Sequence, residues 1–256
     1  MIAIKTPSEI DIMRENGAIL AGVLRSVCEE VAAGTTTTYL DEVAEDLILQ
    51  AGAKPAFKGY QGYPSTICAS INEEVVHGIP SKRRTLESGD IISIDIGLYR
   101  EGLYMDMATT VTLDKIDEET DHLLRVTRQS LWEGIQQVRI GNRLSDISHA
   151  IGSYVEGEGL FVVREYVGHG IGRELHEEPQ IPNYGRPGEG PRLQAGMVFA
   201  IEPMVKKDSE PTRVLDNNWT VVTATGSLAA HFEHTVALTK DGTDVLTIGG
   251  EQERSG

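Results

Sequence analysis

The stretch from Ile91 to Val111, IISIDIGLYREGLYMDMATTV, constrains this chain more than any other. Ile92, Ile94, Ile96 and Leu98 alternate with smaller or polar residues, and Leu103, Met105, Met107 and Val111 do the same further on. A period of two marks a strand with one buried face. A tight turn at Arg100-Glu101 before Gly102 folds the two runs into an antiparallel hairpin. That register opposes Ile94 to Met107, Ile96 to Met105 and Leu98 to Leu103, so the apolar partners share a face. On the other face it sets Asp95 directly opposite Asp106. Directly opposed residues have Cβ atoms about 4.5–5.5 Å apart. Two carboxylates that close repel unless they share a proton or a cation lies between them. Two solvated acids on an open strand face are the bland alternative. Arg100 sits at the turn and offers no compensation from nearby sequence, which favours a metal.

The rest of the chain frames this hairpin with helices. Thr6-Pro7-Ser8-Glu9 reads as a capping box with proline in the first turn. Ile10, Met13, Gly17, Leu20, Leu24, Val27 and Val31 then form one buried helical stripe, ended by Gly34. Leu40, Val43, Ala44, Leu47 and Ala51 mark a second helix, stopped by Gly52. A glycine- and tyrosine-rich loop runs from Phe57 to Pro64, and strand-like segments from Ser65 to Ile79. Asp117 caps a third helix through Leu124, Leu131, Ile135 and Val138, which Gly141 ends. Leu144, Ile147, Ile151 and Val155 make a fourth stripe.

Val31-Ala-Ala-Gly34 before Leu40-Asp-Glu-Val43 resembles Val138-Arg-Ile-Gly141 before Leu144-Ser-Asp-Ile147. A duplication at this long period suggests two similar halves around one core, not a solenoid, whose periods run about 20–50 residues. We expect a single domain over residues 1–256, with halves of roughly 1–110 and 111–250.

Charge and cysteine content narrow the setting. Twenty-three Lys and Arg stand against 39 Asp and Glu, a formal net charge of −16. A nucleic-acid backbone is repelled by such a field, and the one dense basic run, Lys82-Arg83-Arg84, is too short to offset it. Cys28 and Cys68 form no CxxC pair. With no signal-peptide core at the N-terminus and no apolar window of membrane length, a cytoplasmic protein without a membrane contact is expected.

A metal at the two aspartates needs further ligands. Gly168-His169-Gly170-Ile171-Gly172 sets a histidine among glycines, where backbone can approach closely; the spacing is not that of a dinucleotide site. Glu202 ends the apolar run Met197–Ile201, a place where a solvated strand end is the ordinary reading. Glu233 lies in His231-Phe-Glu-His-Thr-Val-Ala-Leu238, read as one strand with Phe232, His234, Val236 and Leu238 on its apolar face. His234 on that face reads as a core histidine.

Together these segments resemble a known family. Tyr166-Val-Gly-His-Gly-Ile-Gly-Arg-Glu-Leu-His176 with Ile181, Asn183 and Tyr184 is similar to the signature of type I methionine aminopeptidases of the bacterial kind. The resemblance, to the M24 "pita-bread" metallopeptidases, spans nearly the whole chain. It includes Gly59–Pro64, Cys68–Asn72, His77–Pro80, Asp90–Asp95, Glu202-Pro203, Trp219-Thr220 and Glu233–Thr235. It implies an α/β (α+β) fold with a curved antiparallel sheet, outer helices and two pseudo-symmetric halves. It implies two divalent ions held by Asp95, Asp106, His169, Glu202 and Glu233, with Asp106 and Glu233 shared, Asp95 on one ion, and His169 and Glu202 on the other. His169 and Glu202 are only 33 positions apart, too close for the insertion of type II enzymes.

The implied reaction is hydrolytic removal of the N-terminal methionine from nascent proteins and peptides with a small second residue, by a metal-bridged hydroxide. Glu202 would shuttle the proton, His176 would hydrogen-bond the scissile group, and His77 the backbone of the following residue. Tyr60, Tyr63, Cys68 and Trp219 match the methionine pocket, as do two departures, Phe57 where cysteine is frequent and Leu175 where phenylalanine is frequent. Gln61 replaces a common histidine at the rim. A hard ligand set of four carboxylates and one imidazole suits Mn, Fe or Co, with Zn compatible. Partners implied are nascent N-termini and a transient ribosome contact through Lys206, Lys207 and Arg213, with no specific nucleic acid and a monomeric state. A prolidase or Xaa-Pro aminopeptidase shares the ligands but usually carries a large N-terminal domain. A non-catalytic binding protein on the same scaffold would have lost ligands.

Overall fold

The computed structural model describes residues 2–248. Helix α1 spans Pro7–Glu29; the Thr6 hydroxyl accepts from Glu9 N–H while the Glu9 carboxylate accepts from Thr6 N–H, closing the capping box. Ile10, Met13, Gly17, Leu20, Leu24 and Val27 are its buried stripe. The helix stops at Glu29, short of Gly34, so Val31 belongs to the connection. Helix α2 is Thr37–Gln50, α3 is Glu118–Ile135 with Asp117 as its cap, and α4 is Leu144–Gly157. Val138 likewise falls just past α3. Among the described residues, no helix is long and apolar enough to cross a membrane.

Every strand pair is antiparallel. One sheet holds Ile91–Arg100 at its centre, flanked by Ile67–Ile71, Leu103–Thr112 and the short Lys54–Pro55. A five-stranded sheet runs Gly242–Val245, His234–Thr239, Val198–Ile201, Gly168–Gly170, Glu177–Ile181. Helix α1 packs on the hairpin and on α2, whereas α3 packs on α4 and on the strands of the second half. An isolated bridge from Ala108 to Glu233 ties the hairpin to the second half.

The halves repeat in detail. Thr36 bridges Thr85 in the first and Arg143 bridges Arg192 in the second, both members displaced by one common offset. That offset also carries Gly89 to Gly196 and Asp95 to Glu202. The molecule is therefore an α/β fold of pita-bread type, with antiparallel sheets, helices packed against them and two pseudo-symmetric halves.

The hairpin forms, but its register differs from the expected one by two residues. Asp95 opposes Ala108, Asp106 opposes Gly97, and Ile96 and Leu98 oppose Met107 and Met105. The cause is the turn. Glu101 and Gly102 both have positive φ (+53° and +85°), the conformation of a two-residue type I′ loop. A slip of two leaves each side chain on its original face. Asp95 and Asp106 thus remain on one face as diagonal neighbours, not as an opposed pair. The strand expected through Glu233 is also interrupted, into Ala229–His231 and His234–Thr239.

Candidate active site

A cleft of about 820 Å³ opens between the halves. It is lined by Asp95, Asp106, His169, Glu202 and Glu233, by His77 and His176, and by Phe57, Tyr60, Tyr63, Cys68, Leu175 and Trp219. Every residue singled out from the sequence for the site lies on this one surface.

The carboxylates converge because small residues surround them. Gly97 faces Asp106 across the hairpin, and Ala108 faces Asp95 and bridges to Glu233. Glu202 follows immediately on the Val198–Ile201 strand, beside His169, which pairs with Ala200. The glycines around His169 are required by close approach: a Cβ on Gly168 would lie 2.5 Å from the Ala200 carbonyl oxygen, and one on Gly170 would strike the Glu178 carbonyl. Asp106, His169 and Glu233 each offer a donor atom within 4.8 Å of the others. Glu202 Oε1 lies 3.4 Å from His169 Nε2, and Asp95 is the diagonal neighbour of Asp106 on the hairpin.

The electrostatics of this cluster are costly. Burial pushes Asp95 up to about 7. Burial, then repulsion from Glu233 and Asp95, holds Asp106 well above the usual carboxylate range. Glu202 is raised by burial and by the charges of Asp106 and Asp95, and Glu233 by burial and by the charges of Glu202 and Asp95. Asp95 Oδ1, Asp106 Oδ1 and Glu233 Oε1 are buried with no hydrogen-bond partner among the described residues. Unsatisfied buried carboxylate oxygens cost free energy that a native fold ordinarily avoids. Here the missing complement is a cation, and no lysine or arginine among the described residues pairs with any of the four.

His169 fits the same role. Its Nδ1 lies 2.9 Å from the Gly170 carbonyl, which can only accept, so Nδ1 carries the proton and Nε2 presents a lone pair. Burial lowers its pKa to about 3 and keeps the ring neutral. Four acids and a neutral imidazole lining one cleft suit a divalent ion.

The cleft wall is aromatic. Tyr63 is buried, with its hydroxyl 3.0 Å from the Ile67 carbonyl and 3.1 Å from that of Gly78, and its ring meets Trp219 edge-on at 5.1 Å. Phe57, Cys68 and Leu175 are buried beside it. His77 adopts φ +59° and packs edge-on against Tyr166 and Trp219. Burial lowers its pKa to about 4. His176 is exposed to the cleft, 4.4 Å from the His169 ring by centroids, and burial of part of its ring shifts its pKa downward.

Several supporting residues stand in the quoted segments without a role assigned from sequence. His231 is buried, its Nε2 unpartnered and 3.7 Å from Glu202 Oε2. Asn183 donates to the Glu202 carbonyl at 3.1 Å. The Thr235 hydroxyl donates to the Asp106 carbonyl at 2.7 Å and accepts from Asp106 N–H at 3.2 Å. A signal existed: with Phe232 and His234 on the apolar face, alternation sends His231, Glu233 and Thr235 to the other. His234 lies where expected, against Trp132 at 5.6 Å and hydrogen-bonded to Thr247.

Comparison with known proteins agrees with this geometry. The model of "Metallopeptidase family M24" matches residues 11–240. The chain is 53% identical over 247 residues to methionine aminopeptidase 1 of Bacillus subtilis, covering 96% of this chain and 99% of that one. It is 52% identical over 248 residues to the methionine aminopeptidase of Clostridium acetobutylicum, covering 97% and 99%. The crystal structure of methionine aminopeptidase from Thermotoga maritima superposes with a TM-score of 0.94 at 47% identity, covering 96% of this chain and 99% of that one.

Proposed function

The chain belongs to metallopeptidase family M24, and from that premise we infer that it hydrolyses the N-terminal methionyl bond of nascent proteins and peptides whose second residue is small. The observation that carries this reading is the cluster of buried, mutually repelling carboxylates at the foot of an aromatic cleft. A divalent metal belongs there. We assign two ions to the cluster, which Asp95, Asp106, His169, Glu202 and Glu233 would hold. Such ions acidify water and polarise a carbonyl. Co, Mn, Fe and Zn all suit the donors.

The remaining work falls to the protein. Glu202, at the end of the Val198–Ile201 strand beside His169, would accept a proton and return it to the leaving amine. His77 and His176 stay neutral and donate hydrogen bonds, His176 to the scissile group and His77 to the following backbone. Tyr60, Tyr63, Cys68, Phe57, Leu175 and Trp219 enclose the methionine side chain, excluding water from a flexible, polarisable group. Residues 1–256 act as one catalytic domain. We further assign the protein to the cytoplasm as a monomer that meets nascent N-termini. Of the three residues expected at the ribosome, Lys206 is buried with its ammonium on the Asp208 and Glu210 carbonyls, which leaves Lys207 and Arg213 for a transient, salt-sensitive contact.

The test is release of methionine from Met-Ala-Ser and Met-Leu-Ser by metal-reconstituted protein. The first should turn over and the second should not. Met-Pro peptides should also be cleaved; comparable turnover of Leu-Pro peptides would instead favour an Xaa-Pro aminopeptidase.

A further inference from the structure

Tyr60 and His176 come from opposite halves of the chain and meet across the cleft. Tyr60 opens a short turn, Tyr60–Gly62, which is entered at Gly59 (φ +88°) and passes through Gln61 (φ +48°). Gly59 N–H donates to the Tyr63 carbonyl at 2.8 Å, and Tyr63 is itself anchored beneath, so the loop presents the Tyr60 hydroxyl at a fixed place. That oxygen is 2.8 Å from His176 Nδ1, with the rings 5.1 Å apart and tilted by 54°.

His176 sits on an irregular segment between strands, with only its neighbour Leu175 buried as an anchor. An exposed imidazole in such a place has two neutral tautomers and several rotamers open to it. Among the described residues, Tyr60 is the sole hydrogen-bond partner of this ring. The nearby His169 cannot substitute, because its Nδ1 is committed to Gly170 and its Nε2 faces Glu202.

We propose that the Tyr60 hydroxyl donates to His176 Nδ1 and holds the imidazole as the Nε2–H tautomer, making Tyr60 the positioning residue for the hydrogen bond that His176 gives at the scissile group. The direction of this bond follows from elementary chemistry. A phenol oxygen delocalises its lone pair into the ring and is a better donor than acceptor, whereas the bare nitrogen of a neutral imidazole is a strong acceptor. The opposite arrangement would leave Nε2 as a lone pair, unable to donate to substrate. Without Tyr60, only the fraction of molecules in the competent tautomer and rotamer can act. The proposal rests on the reading of His176 at the scissile group, but the tautomer can be read without any substrate.

The experiment pairs spectroscopy with kinetics on the parent and Tyr60→Phe, which keeps the ring and removes the donor. Ring nitrogen NMR of 15N-histidine-labelled protein is recorded with zinc added, a diamagnetic ion, at a pH where His176 is neutral; His176→Gln serves only to assign its signals. The parent should show His176 Nδ1 unprotonated and Nε2 protonated, and Tyr60→Phe should move both toward averaged positions. On Met-Ala-Ser, kcat should fall about tenfold, the worth of one hydrogen bond, with KM within about twofold. A protonated Nδ1 in the parent overturns the proposal, as does an unchanged kcat or a loss confined to KM, which marks a pocket wall. Failure of the parent to release methionine would defeat the functional reading, and the spectra would still decide the tautomer.

Discussion

Replacing Asp95 by asparagine should stabilise the metal-free protein and destabilise the metal-loaded one. Asp95 is half-buried, with its Oδ1 enclosed and unpartnered among the described residues, and loss of water around the carboxyl pushes its pKa from 3.8 to about 7. Between those values the native state binds more protons than the unfolded chain, so stability falls as pH rises through that window. At 1.36 kcal/mol per pKa unit the full penalty above pH 7 is about 4 kcal/mol. Sharing of a proton with Asp106 lowers the part that Asp95 alone can recover, to roughly 2–4 kcal/mol. Asparagine has nearly the same shape and no charge to bury. For a chain of this size 1 kcal/mol shifts Tm by about 2–4 °C, so Asp95→Asn without metal should melt on the order of 5–15 °C above the parent at pH 8. The gap should close toward pH 4.5, where the parent's acid is protonated in the native state. Adding manganese or cobalt should invert the order, because the parent gains binding energy that an amide ligand largely forfeits. Thermal melts of chelator-stripped and metal-replete protein from pH 4.5 to 8 measure this directly. A metal-free variant no more stable than the parent at pH 8, or a gap that does not shrink on acidification, would refute the assignment of a destabilising buried charge.

Asp106→Ala should abolish turnover and remove high-affinity metal binding measured by calorimetry; full activity in metal-replete buffer would contradict the two-ion assignment. Gly17→Ala should cost about 1–3 kcal/mol, because a Cβ there would strike the backbone carbonyl of Leu246; an unchanged denaturant midpoint would show that the C-terminal strand connection can move aside. His231→Leu should weaken metal binding about 10–100-fold relative to His231→Gln, since its Nε2 faces Glu202 Oε2 at 3.7 Å; equal affinities in the two variants would show that the facing nitrogen is not used.

Which parts of this site could be read from the sequence depends on how local each cause is. Hairpin faces follow from a period of two, and that parity survives a slip of two residues, so Asp95 and Asp106 reach the same side in either register. The register itself is set by the turn, where Glu101 adopts a positive φ that more commonly falls to Asn, Asp or Gly. Nothing in the alternation of Ile96, Leu98 and Met105 distinguishes the two pairings. Helix ends show the same division. Thr6 and Asp117 mark starts through side-chain caps that the sequence displays. The stops fall before Val31 and Val138, and the glycines expected to end those helices lie further on. The convergence of Glu202 and Glu233 on the hairpin is non-local, and residue spacing alone does not supply it; ordered resemblance to a family did.

The pseudo-symmetry explains why the charges gather at the centre. Asp95 and Glu202 occupy corresponding places, one within and one just past the strand that leads each half into the cleft. Ala108, itself paired with Asp95, bridges to Glu233 at the seam. Duplicating a strand that carries an acid therefore duplicates the acid on the opposite wall of the same cleft. Such an arrangement is unfavourable as folding: four raised carboxylates and three bare oxygens lie where apolar side chains would be more stable. Sequences usually agree with their folds at every level, and conflicts of this size concentrate at functional sites. The apolar faces on either side, with Ile92, Ile94 and Ile96 on one strand and Phe199 and Ile201 on the other, are fully buried. That packing holds the like charges together until a cation removes the conflict.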